Sequence, residues 1–242
     1  VEVDERVTEV TEMLPGANCG GCGYPGCAQF AKALVADEAP VDGCSVGGAA
    51  TAEAVAKYLG KVTPPQKERT RAYIFCHGHK DIAKSSQVYN GAQTCVSAVM
   101  AGGNKDCSYG CVGFYDCMKA CDFGAIIKDE KTGMPVIVED KCVSCNACVK
   151  ACPQKLIEIH PVSQKFHVYC KSKDKGPIAK KACDRACIGC SICVKNTKEG
   201  GMRMDNNLAI VNYEDYAITE ESIAKCPTKA ITDERVNSVA NL

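Results

Sequence analysis

The chain has 242 residues and equal numbers of basic and acidic side chains, 29 of each, so its charge gives no indication of nucleic-acid binding. It contains 20 cysteines but only 6% aromatic residues and no tryptophan. No apolar run in the sequence approaches the ~20 residues that a membrane-spanning helix needs. The length predicts two or three small domains. Because large apolar side chains are scarce, these domains need stabilisation beyond a hydrophobic core.

The first predicted element is a helix that ends at Pro15-Gly16, since apolar residues recur before it at helical spacing, at Val3, Val7, Val10 and Leu14. A glycine-rich cysteine loop follows at 19–27, and then two further helical patterns, the second around 50–59. These elements predict a small helical domain over residues 1–60. The cysteines of this domain have the spacing C-x2-C-x4-C-x16-C and form one candidate ligand set: Cys19, Cys22, Cys27 and Cys44.

A linker is predicted at 61–70, because the sequence KVTPPQKER at 61–69 combines a proline pair with charged residues. We hypothesise that this linker lets the first domain move. Beyond it the chain repeats itself: a segment at 72–84 reads AYIFCHGHKDIAK, and one at 166–180 reads FHVYCKSKDKGPIAK. Short β-hairpins are predicted at 125–138 and 202–212. The repetition predicts two further modules, at 71–165 and 166–242.

The cysteine spacing favours metal binding over disulfides, since cysteines two residues apart suit thiolates that converge on one inorganic centre. Residues 142–153, CVSCNACVKACP, have the C-x2-C-x2-C-x3-C-P spacing of proteins that hold [4Fe-4S] clusters. In two-cluster ferredoxins the fourth cysteine of each run ligates the other cluster. Applied to 71–165, this rule predicts one cluster on Cys121, Cys142, Cys145 and Cys148, and another on Cys107, Cys111, Cys117 and Cys152.

The run at 187–197, CIGCSICVKNT, lacks one expected ligand, because Thr197 stands where the fourth cysteine would be. That cysteine would serve a second cluster, and the partner segment at 213–224 contains no cysteine either. We interpret both absences as the loss of one whole cluster. The remaining cluster is then held by Cys187, Cys190, Cys193 and Cys226. The predicted fold is therefore α+β: a small helical iron–sulfur domain, a two-cluster ferredoxin-like module of βαβ type, and a degenerate one-cluster module.

Four cysteines stay unassigned: Cys76, Cys95, Cys170 and Cys183. Since Cys76 and Cys170 end the repeated strands, one hypothesis gives these four a fifth cluster; the alternative is that they are buried apolar thiols. The sequence thus predicts four [4Fe-4S] clusters, with a fifth as a hypothesis, and all iron is bound through cysteine. We assign no catalytic residue and expect no NAD or flavin site on this chain, because no dinucleotide, P-loop or nucleophile–base motif is present.

The motifs resemble a known family. The segment LPGANCGGCGYPGCAQFAKALV resembles the iron–sulfur domain of the B subunit of the Rnf electron-transport complex, and a similar module occurs in corrinoid iron–sulfur proteins. Three more segments extend the resemblance to the longer, anaerobe-type form: CSYGCVGFYDCMKACDFGAI, CVSCNACVKACPQKLIEI and SKDKGPIAKKACDRACIGCSIC. The resemblance implies a membrane-associated ferredoxin:NAD oxidoreductase that moves Na+ or H+. This chain would accept electrons from ferredoxin, with flavin and NAD sites on other subunits.

The resemblance also implies a peripheral domain on the cytoplasmic face of the membrane; family members carry an N-terminal membrane anchor that this sequence lacks. Five lysines could dock an acidic ferredoxin or simply form a solvated face: Lys150, Lys155, Lys171, Lys173 and Lys175. Two other functions stay open. One is a soluble iron–sulfur redox partner that reduces a sensor protein or another reductase. The other is a zinc-stabilised interaction scaffold, since C-x2-C pairs also bind zinc.

Overall fold

A computed structural model of the chain describes residues 4–63, 65 and 67–233. Val3 of the first predicted helix, Pro64 and Gln66 of the predicted linker, and the end of the last predicted module at 234–242 lie outside the described residues. Within those described ranges, none of the helices has the length and apolar character needed to cross a lipid bilayer.

The first part of the chain is a three-helix unit formed by α1 (Glu5–Met13), α2 (Cys27–Val35) and α3 (Gly48–Tyr58). The Asp4 side chain caps α1 by accepting a hydrogen bond from the Arg6 backbone N–H at 3.0 Å. The three helices enclose a small core whose most buried members are Val10, Phe30, Leu34 and Val55. The cysteine loop lies between α1 and α2, so this core supports it from one side.

The second unit starts and ends with paired strands. Strand β1 (Thr70–Ile74) pairs antiparallel with β4 (Ile157–Pro161), with Ala72 opposite Ile159. Between them lie α4 (Cys95–Met100), α5 (Asp116–Lys119), the hairpin of β2 (Ile126–Lys128) and β3 (Pro135–Ile137), and α6 (Ala147–Ala151). The helices α5 and α6 have only one turn or slightly more, so packing must hold them in place.

The third unit repeats this arrangement. Strand β5 (Phe166–Val168) pairs antiparallel with β8 (Ile231–Asp233), and between them lie α7 (Gly176–Ala182), α8 (Ile192–Lys195), the hairpin of β6 (Met202–Asp205) and β7 (Leu208–Val211), and α9 (Glu220–Ala224). The predicted mixture of helix and sheet is confirmed. The four described strand pairs are all antiparallel, whereas a βαβ unit has parallel strands. The ferredoxin-like arrangement itself stays a prediction.

The second and third units pack through the repeated segments. Ala83 and Cys183 form an isolated antiparallel bridge, and the Lys84 N–H donates to the Ala182 carbonyl at 2.9 Å. Beside this bridge an aromatic layer joins the strands, with the Tyr73 and His167 ring centres 4.2 Å apart. His167 is fully buried, and burial lowers its pKa to about 3, so it packs as a neutral ring. The ends of β1 and β5 are thereby held together.

Candidate metal centres

All 20 cysteines surround five cavities, four cysteines to each, and all are free of disulfide bonds. The cavities contain about 330 to 410 Å³ of empty space, part of it open to solvent. We number them as follows: site 1 (Cys19, Cys22, Cys27, Cys44), site 2 (Cys121, Cys142, Cys145, Cys148), site 3 (Cys95, Cys111, Cys117, Cys152), site 4 (Cys76, Cys107, Cys170, Cys183) and site 5 (Cys187, Cys190, Cys193, Cys226).

Three of these sites contain the cysteines that spacing grouped together. Site 1 lies between the glycine-rich loop and the segment before α3, and site 2 lies beside the β2–β3 hairpin. In site 5, Cys226 lines the same cavity as the 187–193 loop, although 33 residues separate it from Cys193. That these cysteines bind a cluster stays a prediction.

Sites 3 and 4 differ from the predicted grouping by the exchange of two cysteines. Cys107, grouped by sequence with Cys111, Cys117 and Cys152, instead lines site 4, and Cys95 takes its place in site 3. The cause is a hydrogen bond at the start of α4, where the Cys95 backbone N–H donates to the Asp116 carboxylate at 2.7 Å. This bond brings Cys95 next to α5, which carries Cys117.

A backbone hydrogen bond of the preceding residue holds Cys107 in site 4. The backbone N–H of the preceding residue, Asp106, donates to the Lys84 carbonyl at 2.9 Å, and Lys84 belongs to the segment that pairs with 182–184. Site 4 therefore takes two cysteines from the second unit and two from the third. Spacing did not predict this exchange, because Cys107 is the nearer of the two cysteines to Cys111 along the chain. Cys95 is separated from Cys111 by the 15-residue segment 96–110, which folds back.

Backbone N–H groups point at the sulfur atoms of four sites. The donors are Gly47 to Cys44 and Ala125 to Cys121 at 3.3 Å, and, at 3.4 Å, Leu156 to Cys152, Gly78 to Cys76 and Ser172 to Cys170. Such bonds favour the thiolate over the thiol, and around a bound cluster they tune its reduction potential. The loops thus supply the second set of contacts that a cluster needs in addition to its four ligands.

Burial has the opposite effect on the free thiols. It raises the pKa of Cys117, Cys148 and Cys170 to about 12, and that of Cys193 to about 11. Without a cation in the site these thiols are neutral at pH 7, whereas a coordinating metal deprotonates them. Four convergent cysteines and backbone donors aimed at sulfur together fit an iron–sulfur cluster.

The third unit also contains the position of the absent second cluster. Ser222 and Cys226 in this unit have the spacing of Cys117 and Cys121 in the second unit, while Thr197 corresponds to Cys152. The Thr197 and Ser222 hydroxyl oxygens lie 2.8 Å apart, and the Ser222 hydroxyl donates to the Asn196 carbonyl at 2.9 Å. Ser222 is fully buried. A pair of hydrogen-bonded hydroxyls therefore stands where two cysteine ligands would be; Thr197 was identified from the sequence, whereas Ser222 was not.

Ser222→Ala should destabilise the protein without removing iron, because it removes a fully buried hydroxyl that bonds to the Thr197 hydroxyl and to the Asn196 carbonyl. Unsatisfied buried groups cost about 1–3 kcal/mol. In a chain of this size that corresponds to an apparent Tm lower by roughly 2–10 °C, measured by circular dichroism under anaerobic conditions. The matched control is Ser163→Ala, at an exposed serine. A Ser222→Ala protein that melts with the wild type would contradict this assignment.

Two of the five lysines considered for docking are engaged within the protein. The Lys171 ammonium pairs with Glu158 and lies over the Phe75 ring, 4.5 Å from its centre. Lys173 pairs with Asp205 at 2.9 Å. The positive charge of the 171–175 segment is thus partly neutralised before any partner approaches.

Comparison with known proteins identifies iron–sulfur domains in the first two units. A family model for an Fe-S cluster matches residues 14–46, and one described as a 4Fe-4S dicluster domain matches residues 106–157. The B subunit of the Na(+)-translocating ferredoxin:NAD(+) oxidoreductase complex of Acetobacterium woodii is 39% identical over 95% of this chain and 68% of its own length. Its counterpart in the proton-translocating complex of Clostridium ljungdahlii is 43% identical over 96% of this chain and 82% of its own length. The B subunit of the ion-translocating oxidoreductase complex of Methanosarcina acetivorans is 38% identical, covering 96% and 87% respectively.

Proposed function

This chain belongs to the family of B subunits of ion-translocating oxidoreductase complexes, and on that basis we propose how its cysteine sites serve such a complex. It is an iron–sulfur electron-transfer subunit of an ion-translocating ferredoxin:NAD oxidoreductase, and it contains [4Fe-4S] clusters. Each cluster, when bound, takes up and releases one electron at a time. The chain accepts electrons from reduced ferredoxin and relays them to the other subunits, which carry the flavin and NAD sites.

The observation that carries the proposal is the division of all 20 cysteines into five sets of four. We propose that each set ligates one [4Fe-4S] cluster, so that the chain holds five, with Cys95 in site 3 and Cys107 in site 4. A zinc ion would instead draw its four sulfurs to within ~2.3 Å of a single point. Within the described residues, no set of cysteines is drawn together closely enough to hold a single metal ion.

Contacts between neighbouring ligands support a relay in the order site 2, site 3, site 4, site 5. Cys117 of site 3 and Cys148 of site 2 belong to the same core. The Cys111 backbone N–H of site 3 donates to the Cys76 sulfur of site 4 at 3.4 Å. Cys187 of site 5 and Cys170 of site 4 pack against the same core. Each site is thus one short hydrogen-bonded or packed contact from the next.

We assign the chain to the peripheral, cytoplasmic part of the membrane complex, where it would meet ferredoxin. The three units would then carry electrons between ferredoxin and the membrane and flavin subunits. The names of two relatives give Na+ and H+ as the ions that their complexes translocate. The chain's own part is to hold its clusters in sequence, exclude water from them and tune their potentials through backbone hydrogen bonds.

Anaerobic iron and sulfide analysis, followed by reconstitution with the other subunits, tests this function. We expect a brown protein with about 20 iron atoms, four for each site. Adding it to a complex that lacks its own B subunit should restore ferredoxin-dependent NAD reduction. A colourless zinc protein would refute the cluster assignment. A brown protein that reduces small-molecule acceptors but never restores NAD reduction would instead indicate a free redox partner.

A further inference from the structure

The cluster loop of the first unit touches the cluster loop of the second. We propose that Gly21 is a positioning residue that holds site 1 against site 2, so that electrons pass between the first unit and the rest of the relay across the contact of Gly21 with Cys145. This inference rests on the proposed relay function. It places site 1 at the site 2 end of the relay.

The contact is tighter than a side chain at position 21 would normally allow. A Cβ atom added to Gly21 would lie 3.1 Å from the Cys145 Cα, 3.3 Å from the Cys145 carbonyl oxygen and 3.3 Å from the Ser45 hydroxyl oxygen. The first two of these atoms belong to the backbone and cannot rotate away. The φ angle of Gly21 lies outside the left-handed region, unlike that of Gly20 at 68°. Glycine is therefore needed at 21 for space and not for backbone conformation.

The two residues in contact belong to the ligand loops themselves. Gly21 lies between Cys19 and Cys22 of site 1, and Cys145 is a member of site 2. The ligand loop of site 1 thus lies directly against a ligand of site 2.

Both ends of the linker are fastened to the units that it joins. On the first unit, the Lys61 ammonium lies 2.6 Å from both the Leu34 carbonyl oxygen and the Asp37 carboxylate. On the second unit, the hydroxyls of Thr70 and Ser144 lie 2.9 Å apart, and the Ser144 hydroxyl also donates to the Thr70 carbonyl at 2.7 Å. Ser144 directly precedes Cys145, so the end of the linker is fastened to the loop that Gly21 touches.

Electron transfer slows steeply as the distance between centres grows, so widening this contact should be measurable. We would compare Gly21→Ala and Gly21→Leu with the wild type and with Ala54→Ser, a control on the exposed face of α3. The readouts are iron content, the magnetic coupling between reduced sites 1 and 2 in EPR spectra, and the rate at which site 1 is reduced or oxidised through site 2. Because an added Cβ requires the two loops to move apart by only a few tenths of an ångström, we expect a small slowing for Gly21→Ala and a several-fold slowing for Gly21→Leu, with iron content unchanged.

Three outcomes decide the proposal. Coupled EPR signals in the wild type that weaken in the order Ala, then Leu, support it. Wild-type signals of sites 1 and 2 without mutual coupling overturn it, and this measurement does not depend on any variant folding. A Gly21→Leu protein with full iron content and wild-type coupling and rate also overturns it. If the wild type contains no clusters or never restores NAD reduction, the relay function itself fails, which is a different result.

Discussion

Anaerobic removal of iron with a strong chelator should unfold four short helices of the second and third units that contain or closely precede cluster cysteines. These helices are very short: α5 and α8 have 4 residues each, and α6 and α9 have 5. Isolated helices below ~12–15 residues are marginal in water, so these four depend on what their ends bind. In small metal-dependent domains the free energy of metal binding is the free energy of folding, of the order of 10 kcal/mol or more for structural zinc.

The N-cap residues of three of these helices increase the loss of structure that we expect on chelation. Tyr115, Asn146 and Ser191 have φ angles of 58°, 64° and 58°, in the left-handed region that non-glycine residues seldom adopt. Each such residue costs of order 1 kcal/mol or more, and a bound cluster would hold the loop in this conformation. Far-UV circular dichroism and limited proteolysis before and after chelation measure the loss.

The first unit is the internal control for chelation. Its helices have 9 to 11 residues and share a core that includes Val10, Phe30 and Leu34, so they should keep more of their structure than the later units. Protease cleavage should therefore begin in 105–155 and 185–230. If the iron-free protein keeps the spectrum and cleavage pattern of the loaded protein, the clusters do not support the fold.

Cys107→Ser should remove the cluster that joins the second and third units and interrupt electron flow to site 5. Cys107 lines site 4 between the two units, and site 4 lies between site 3 and site 5. The variant should contain about four fewer iron atoms than the wild type, and site 5 should no longer be reduced through site 3. EPR during stepwise reduction measures both effects.

The matched variants separate the two possible groupings. If site 4 has the composition seen in the structure, Cys107→Ser should lose the same EPR signal as Cys76→Ser, and Cys95→Ser the same signal as Cys117→Ser. The grouping expected from spacing alone makes the reverse assignment, in which Cys107→Ser resembles Cys117→Ser. A loss of the same signal in all four variants would contradict both.

The sequence was most informative where ligands lie close together along the chain. Spacing grouped the cysteines of sites 1, 2 and 5 as the structure does, because most ligands of each set lie in one loop. It grouped Cys95 and Cys107 differently from the structure, since their positions depend on long-range contacts through Asp116 and Lys84 that no local pattern encodes. The pairing of β1 with β4 was hidden for the same reason, because more than 80 residues separate the two strands.

Ser222 shows a different limit. The sequence signal existed, as Ser222-x3-Cys226 repeats the spacing of Cys117-x3-Cys121, but a serine in an acidic segment does not suggest a former ligand position. Its meaning becomes clear only from the hydrogen bond with Thr197. The absence of a ligand could be inferred from the sequence, whereas the side chains that fill the space could not.

The composition of site 4 bears on how the protein is made. Two of its cysteines come from each of two units, so the site is complete only after both units have been synthesised and have docked. A truncated chain or a misdocked intermediate would have at most two thiols there, too few to retain a cluster. Docking of the two units therefore has to precede insertion of the metal centre that connects them, and a chain in which they have not docked lacks the full electron path.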